Sequence, residues 1–325
     1  MNPPRILRAA ALCLLGFSAA LVPAPLFAAG APTPIRPPAP RGPDPEFWSV
    51  RFNTPEKFDN RGIPSYRHAT MTSKKLRFAG EAETEVGYTV YLPPGYEGSD
   101  ERYAILYFLV GNGGTENGSV PVVTKAHELI VKGEIPPFII VGITGGRSFY
   151  GNQFEGKCQM QDFFFEEFLP HIEKNYRVKA DPRHRHIQGM SAGGNGAVVY
   201  ALQRPDLFGT ATAIAGAFFG IRVHAWTEMY NASENNYRPY DPFALIAERP
   251  PRSGTLRLAL WVGSADGTIG DATQFHRLLS ELSIAHEYND WNSRPALVGV
   301  PHSLPRYYEL YGKEILEFHA AAFRD

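Results

Sequence analysis

The residues most suggestive of chemistry surround Ser191. Residues 189–193 read Gly-Met-Ser-Ala-Gly and match the pattern G-x-S-x-G. A predicted strand, 184–188, precedes them, and a segment of helical composition, 193–203, follows. Glycines two places before and after the serine permit a sharp turn between a strand and a helix, which leaves the hydroxyl exposed. The pattern in this context predicts a serine nucleophile that forms a covalent acyl intermediate.

A serine nucleophile needs a general base and an acid that orients the base. Where G-x-S-x-G occurs in α/β-hydrolases, the order along the chain is Ser, Asp or Glu, then His. Asp266 follows the apolar run 256–262, and an Asp just beyond a parallel strand lies at the reactive edge of the sheet. His302 precedes the last predicted helix. We therefore predict Asp266 as the acid, with Asp271 as the alternative, and His302 as the base.

Acyl transfer also requires donors for the negative charge that develops on the substrate oxygen. One predicted donor is the N–H of Ala192, the residue after the nucleophile. The second is expected from the Gly-Asn-Gly-Gly run at 111–114, which follows an early apolar segment. His184 and His186 would share one strand face and could form half a metal site. No Cys or carboxylate cluster completes it, so neither a metal nor a cofactor is predicted.

The elements that must position these side chains alternate between strands and helices. Runs without polar alternation suit strands that are buried on both faces. Strands are predicted at 86–92, 103–110, 138–143, 184–188, 210–215 and 256–262, and helices at 163–176, 193–203 and 307–323. This alternation predicts an α/β fold with a mostly parallel sheet covered by helices on both faces.

The first residues resemble a targeting signal. Arg5 and Arg8 precede an apolar run over 9–22, and small residues follow it, so residues 1–31 are predicted to be a secretory signal peptide. A membrane anchor is the alternative, but the run is shorter than the ~20 residues that a spanning helix needs. Residues 32–47 are rich in proline and predict an extended linker, which leaves 48–325 as the catalytic domain. The mature protein is thus expected to be secreted or periplasmic.

Composition excludes several classes of protein. The 325 residues are 44% hydrophobic, which is too apolar for a disordered chain. A formal net charge of -1 provides no basic field for nucleic acid, so no nucleic-acid partner is expected. Cleavage of the signal would leave Cys158 as the single cysteine, and stability must then come from core packing. No stable membrane insertion is predicted.

Five segments resemble the esterase D and feruloyl-esterase branch of the α/β-hydrolases. They read YTVYLPPGY (88–96), YFLVGNGG (107–114), DFFFEEFLPHIE (162–173), HIQGMSAGGNGA (186–197) and RPDLFG (204–209). The branch includes feruloyl and acetylxylan esterases of carbohydrate esterase family 1, enterochelin esterases, S-formylglutathione hydrolases and antigen-85 mycolyltransferases. The resemblance implies an α/β-hydrolase fold in which Ser191, Asp266 and His302 form the triad. It also implies backbone oxyanion donors at Asn112 and Ala192.

Two positions depart from that family pattern. Val110 stands where the family usually has a His before the glycine, which leaves the local hydrogen bonding of the oxyanion loop open. Pro301 precedes His302 where the family favours Gly, and tyrosines follow where it favours Trp.

The substrate is the least constrained inference. Aromatic residues are concentrated in 217–240, a stretch between two predicted strands where this fold tolerates insertions. They either line a substrate pocket or pack the insertion onto the domain. The predicted pocket residues are Phe218, Phe219, Trp226 and Tyr230. We expect a small-molecule or polysaccharide ester as substrate and a feruloyl or acetylxylan esterase as the enzyme. The alternatives are an enterochelin-type siderophore esterase, an acyltransferase, and a non-catalytic carbohydrate-binding protein on the same fold.

Overall fold

Apolar runs form the strands of one mixed sheet. The computed structural model describes residues 52–77, 82–154, 156, 158–218, 233–252 and 254–323. The strands are β1 (Tyr66–Ser73), β2 (Thr84–Tyr91), β3 (Ala104–Leu109), β4 (Phe138–Ile143), β5 (Arg185–Met190), β6 (Thr210–Ile214), β7 (Arg257–Trp261) and β8 (His286–Asn289). Their order across the sheet is β1-β2-β4-β3-β5-β6-β7-β8. The pairs β1–β2 and β2–β4 are antiparallel, and the remaining neighbours are parallel.

Helices connect the strands and cover both faces of the sheet. The α-helices are α1 (Val120–Val131), α2 (Met160–Asp162), α3 (Leu169–Asn175), α4 (Ala192–Gln203), α5 (Glu234–Tyr237), α6 (Pro242–Glu248), α7 (Ile269–Glu281) and α8 (Leu304–Ala322). A π-helical segment, Phe163–Phe168, joins α2 to α3. Short 3-10 helices are Pro55–Lys57, Tyr96–Gly98, Glu116–Ser119, Arg238–Tyr240 and Pro295–Leu297.

Strand β3 illustrates why the central strands lack polar alternation. Ile105 and Tyr107 join the core on the face covered by α4 and the π-helical segment. Leu106 and Phe108 join the core on the opposite face, which α1 and α8 cover. All four side chains are buried, since each face of the strand meets a helix layer. The predicted α/β fold with a mostly parallel, doubly covered sheet is confirmed.

The predicted N-terminal segments lie outside the described residues. This applies to the signal peptide, 1–31, and to the proline-rich linker, 32–47. Among the residues that are described, no helix is both long enough and apolar enough to span a bilayer.

A buried polar chain crosses from β5 through β6 to α8. His186 Nδ1 lies 2.6 Å from Thr210 Oγ1, which in turn lies 2.6 Å from His319 Nδ1. His319 Nε2 donates to Gln188 Oε1 at 3.1 Å, and Gln188 Nε2 donates to Tyr308 Oη at 2.6 Å. Burial lowers the pKa of His319 to about 3 and the pKa of His186 well below its ordinary value of 6.5. His184 is separate from this chain, because it bonds Asp181 at 2.8 Å.

The lowered pKa values of these two histidines predict that the protein becomes less stable as the pH falls. Both remain neutral in the fold, whereas in the unfolded chain each binds a proton as the pH falls below 6.5. The free energy of unfolding should therefore decrease by about 1.4 kcal/mol per pH unit for each histidine between about pH 6 and pH 5, before most carboxylates titrate. Urea unfolding at stepped pH measures the slope. In His319→Gln the dependence of the unfolding free energy on pH should lose the contribution of one histidine. An unchanged slope would contradict the conclusion that His319 stays neutral in the fold.

Candidate active site

Ser191 is the junction between β5 and α4, and its backbone is strained. Its φ of 58° and ψ of -121° lie outside the regions that non-glycine residues normally occupy. The surrounding main chain fixes this conformation. The N–H of Ser191 donates to Ile214 O at 3.0 Å, and the Ser191 carbonyl accepts from Asn195 N and Ala217 N, each at 3.0 Å. The turn therefore carries the hydroxyl above the carboxyl edge of the sheet.

The two glycines of the G-x-S-x-G pattern are required by close backbone contacts. A Cβ at Gly189 would lie 2.1 Å from the carbonyl oxygen of Gly193. A Cβ at Gly193 would lie 1.9 Å from the carbonyl oxygen of Leu109 in β3. No side chain fits at either distance, so α4 packs this tightly against β3 and β5 only with glycine at both places.

The loop after β7 brings Asp266 to His302. His302 Nδ1 lies 2.8 Å from Asp266 Oδ1, and the carboxylate is buried. The same oxygen accepts from the N–H of Thr268 at 2.9 Å and from its hydroxyl at 2.8 Å. Burial by itself raises the pKa of Asp266, but the hydrogen bonds from His302 and Thr268 outweigh it and lower the pKa. The acid is thereby kept ionised beside the imidazole. The alternative acid, Asp271, lies in the first turn of α7.

Tyr307 is a further member of this group. Its hydroxyl donates to Asp266 Oδ2 at 2.9 Å and accepts from the N–H of Gly263 at 2.7 Å. Sequence reasoning noted Tyr307 only as a departure from the family's Trp. The signal that could have identified it is its position five residues after His302, in the first turns of α8, where a buried ring faces the end of β7.

One cavity is lined by the predicted nucleophile, the predicted base and one predicted oxyanion donor. Its volume is about 460 Å³, and Ser191, His302 and Asn112 all line it. The hydrogen bonds of the described residues include none between the Ser191 hydroxyl and His302. Such bonds in unliganded sites are often long and tighten when substrate binds. The cavity therefore brings the predicted nucleophile, the predicted base and one predicted oxyanion donor into one space of small-molecule size.

The loop at 110–114 is fastened by the segment that follows β4. The Tyr150 hydroxyl donates to Val110 O at 2.7 Å and to Ile143 O at 3.2 Å. The N–H of Gly113 donates to Gly146 O at 2.8 Å. A Cβ at Gly111 would lie 3.3 Å from the Ser191 Cβ, so the loop runs directly beside the nucleophile. Tyr150 thus supplies local hydrogen bonding that the absent family His leaves open.

The second predicted donor is on the other side of Ser191. Ala192 is the first residue of α4, and its side chain is buried. A first helical N–H has no acceptor within its own helix. The Ala192 N–H is therefore available to an anion beside the serine, where the helix dipole also favours negative charge.

Of the four predicted pocket residues only Phe218 is among the described residues, and it does not line this cavity. The Phe218 ring is fully buried and packs against Phe275 with ring centroids 4.6 Å apart, so it belongs to the core. Phe219, Trp226 and Tyr230 lie outside the described residues. Among the described residues, apolar side chains that line the cavity come from β3 and the residue after it, from β5, α1 and α8, namely Phe108, Val110, Pro121, Met190, Leu304 and Pro305. Sequence reasoning missed them because they are dispersed along the chain.

The fold and the strained serine turn define an α/β-hydrolase, and comparison with protein families specifies which kind. The family described as "Putative esterase" matches residues 79–313. This is well over half of the chain, so the chain belongs to that family. This membership confirms the family resemblance found in the sequence.

Individual relatives agree with this family. An endo-1,4-beta-xylanase/feruloyl esterase of Xylanibacter ruminicola is 36% identical over 141 residues, which are 40% of this chain and 19% of that protein. An esterase of Mycobacterium tuberculosis is 26% identical over 232 residues, which are 66% of this chain and 50% of that protein. The chain thus spans half or less of each of these curated relatives. The solved structure of a ferulic acid esterase, 24% identical, covers 79% of this chain and 98% of its own with a TM-score of 0.63, which shows a shared fold.

The Tyr150 hydroxyl should contribute measurably to the stability of this region. Tyr150→Phe removes the donor to the Val110 carbonyl, whereas Ile143 O keeps its bond from Val110 N, and leaving a buried carbonyl unpaired typically costs about 1–3 kcal/mol. Guanidinium unfolding of the variant and of the wild type measures the difference. Tyr311→Phe is the matched control, since the Tyr311 hydroxyl accepts an exposed hydrogen bond from Ala296 N at 3.2 Å. Equal losses in the two variants would show that Tyr150 does not anchor the loop.

Proposed function

We propose that the protein is a serine carboxylic-ester hydrolase that acts on feruloyl or acetyl esters of plant polysaccharides. One observation carries the proposal: Ser191, His302 and Asn112 line a single cavity, while Asp266 bonds the His302 ring from behind at 2.8 Å. A nucleophile, a base and an ionised acid in this relation are the parts that acyl transfer through a serine requires.

The reaction follows from the positions of the groups. His302 takes the proton of Ser191 as the oxygen attacks the ester carbonyl, and Asp266 stabilises the imidazolium that forms. The N–H groups of Asn112 and Ala192 donate to the oxyanion of the tetrahedral intermediate. His302 then returns the proton to the departing alcohol, which leaves an acyl group on Ser191. Water, activated by the same imidazole, releases the acid and restores the hydroxyl.

The lining of the cavity favours a substrate whose acyl group is uncharged, whether aliphatic or aromatic. Among the described residues that line it, six have apolar side chains and His302 is the one ionisable group. Its volume of about 460 Å³ exceeds what an acetyl group fills and suits an aromatic acid. The curated relative from Xylanibacter ruminicola is named as a feruloyl esterase, which agrees with this choice. Export by residues 1–31 belongs to the proposal and rests on the sequence alone.

Parallel assays on methyl ferulate, acetylated xylan and a triscatecholate siderophore test the proposal. We expect the wild type to hydrolyse methyl ferulate or acetylated xylan and to leave the siderophore intact. In Ser191→Ala the rate should fall by about 10³-fold or more, because the nucleophile is removed while the oxyanion donors remain. Released acid is measured by chromatography.

Ser191→Ala on p-nitrophenyl acetate provides the control for background hydrolysis. Equal rates in the variant and the wild type would exclude catalysis at Ser191. Activity confined to the siderophore would overturn the polysaccharide-ester assignment while leaving the serine mechanism intact.

A further inference from the structure

A buried carboxylate lies immediately after the loop that carries Asn112. Glu116 begins the 3-10 helix Glu116–Ser119, four residues beyond Asn112, and its side chain is fully buried. Burying a carboxylate is costly unless hydrogen bonds or an opposite charge compensate. Glu116 has no role in the proposed reaction. Its burial beside the oxyanion loop therefore requires another explanation.

Three donors converge on one oxygen of this carboxylate. Glu116 Oε1 accepts from the N–H of Thr54 at 2.7 Å and from the Thr54 hydroxyl at 3.0 Å. His68 Nε2 lies 2.8 Å from the same oxygen and donates to it. Thr54 precedes the first 3-10 helix and His68 lies on β1, so Glu116 joins two segments that are distant in sequence.

Further hydrogen bonds hold the segment around Thr54, and in these the segment accepts instead of donating. Asn117 Nδ2 donates to Thr54 O at 3.3 Å, and the N–H of Gly87 in β2 donates to Phe52 O at 2.7 Å. The segment 52–54 is thereby fixed to the sheet as well as to Glu116. The Glu116 carboxylate is thus bonded to a segment that is itself hydrogen-bonded to β2.

The oxyanion loop is consequently fastened at both ends. Tyr150 bonds Val110 O at its start, and the Thr144 hydroxyl donates to Gly114 O at 2.6 Å near its end. Glu116 lies two residues further on and begins the 3-10 helix that leads into α1. Asn112 lies between these points and is exposed to the cavity.

We propose that Glu116 is a positioning residue for the reaction at Ser191, an inference that rests on the proposed function. Through Thr54 and His68 its carboxylate fixes the loop that presents the Asn112 N–H to the oxyanion. An oxyanion donor acts mainly on the transition state, so a displaced loop lowers kcat and leaves substrate binding nearly unchanged.

Glu116→Gln in the full chain tests the inference. It preserves the size of the side chain but removes the negative charge from the group that accepts three hydrogen bonds. We expect kcat for the ester substrate to fall by roughly tenfold or more, short of the ~10²–10³-fold cost of losing an entire oxyanion donor. KM should remain within about twofold of the wild type. Thermal unfolding measured in parallel reports the amount of folded protein.

Glu173→Gln is the matched control for loss of a largely buried carboxylate. Glu173 Oε1 accepts from Arg185 Nε at 2.8 Å and from Nη2 at 2.6 Å, at the end of β5 opposite Ser191. This variant should lose stability but retain kcat per folded molecule. If Glu116→Gln also loses stability alone and keeps its kcat, Glu116 is structural and the inference is wrong.

Thr54 provides a second variant that does not alter the buried charge. Thr54→Val removes the hydroxyl donor and should lower kcat by a few fold, whereas Thr54→Ser retains the donor and should restore it. Equal kcat values in these two variants would contradict the inference. A wild type that hydrolyses no ester would instead refute the proposed function, so the two failures are distinguishable.

Discussion

The strained backbone of Ser191 is the constraint on which the rest of the site depends. A conformation with φ of 58° at a residue that carries a side chain costs about 1–3 kcal/mol and persists only where surrounding structure enforces it. Here the enforcement comes from β6, through the hydrogen bond from Ser191 N to Ile214 O, and from the close approach of α4 to β3. The packing of the sheet thus maintains an exposed hydroxyl.

Parallel topology explains why distant residues meet at this serine. Asn112 follows β3, Ser191 follows β5 and Asp266 follows β7, and the carboxyl ends of parallel strands share one edge of the sheet. His302 reaches the same edge because it immediately precedes α8, whose Tyr307 hydroxyl bonds Asp266. Strands β3, β5 and β7 therefore bring residues that follow them to one edge of the sheet, although these residues are distant in sequence.

The sequence predicted those features that depend on local pattern. Unbroken apolar runs located β3 and β4, and G-x-S-x-G located the turn because the whole pattern, including the close contact of Gly189 with Gly193, lies within five consecutive residues. Strand β1 was missed, since it is a partly exposed edge strand whose polar residues resemble a loop. The anchoring by Tyr150 and Glu116 was also missed, because their partners Val110 and Thr54 lie 40 and 62 residues away. Phe218 was expected in the pocket but lies in the core, because it packs against Phe275, which is also distant in sequence.

The most direct test of the account is covalent labelling with a fluorophosphonate, which reacts with an activated serine hydroxyl and mimics the tetrahedral intermediate. Peptide mass spectrometry of the treated protein identifies the modified residue. A single adduct on Ser191 is expected, formed quickly in the wild type and lost when His302→Ala removes the base. An adduct at another serine, or labelling of Ser191 at an equal rate without His302, would contradict it.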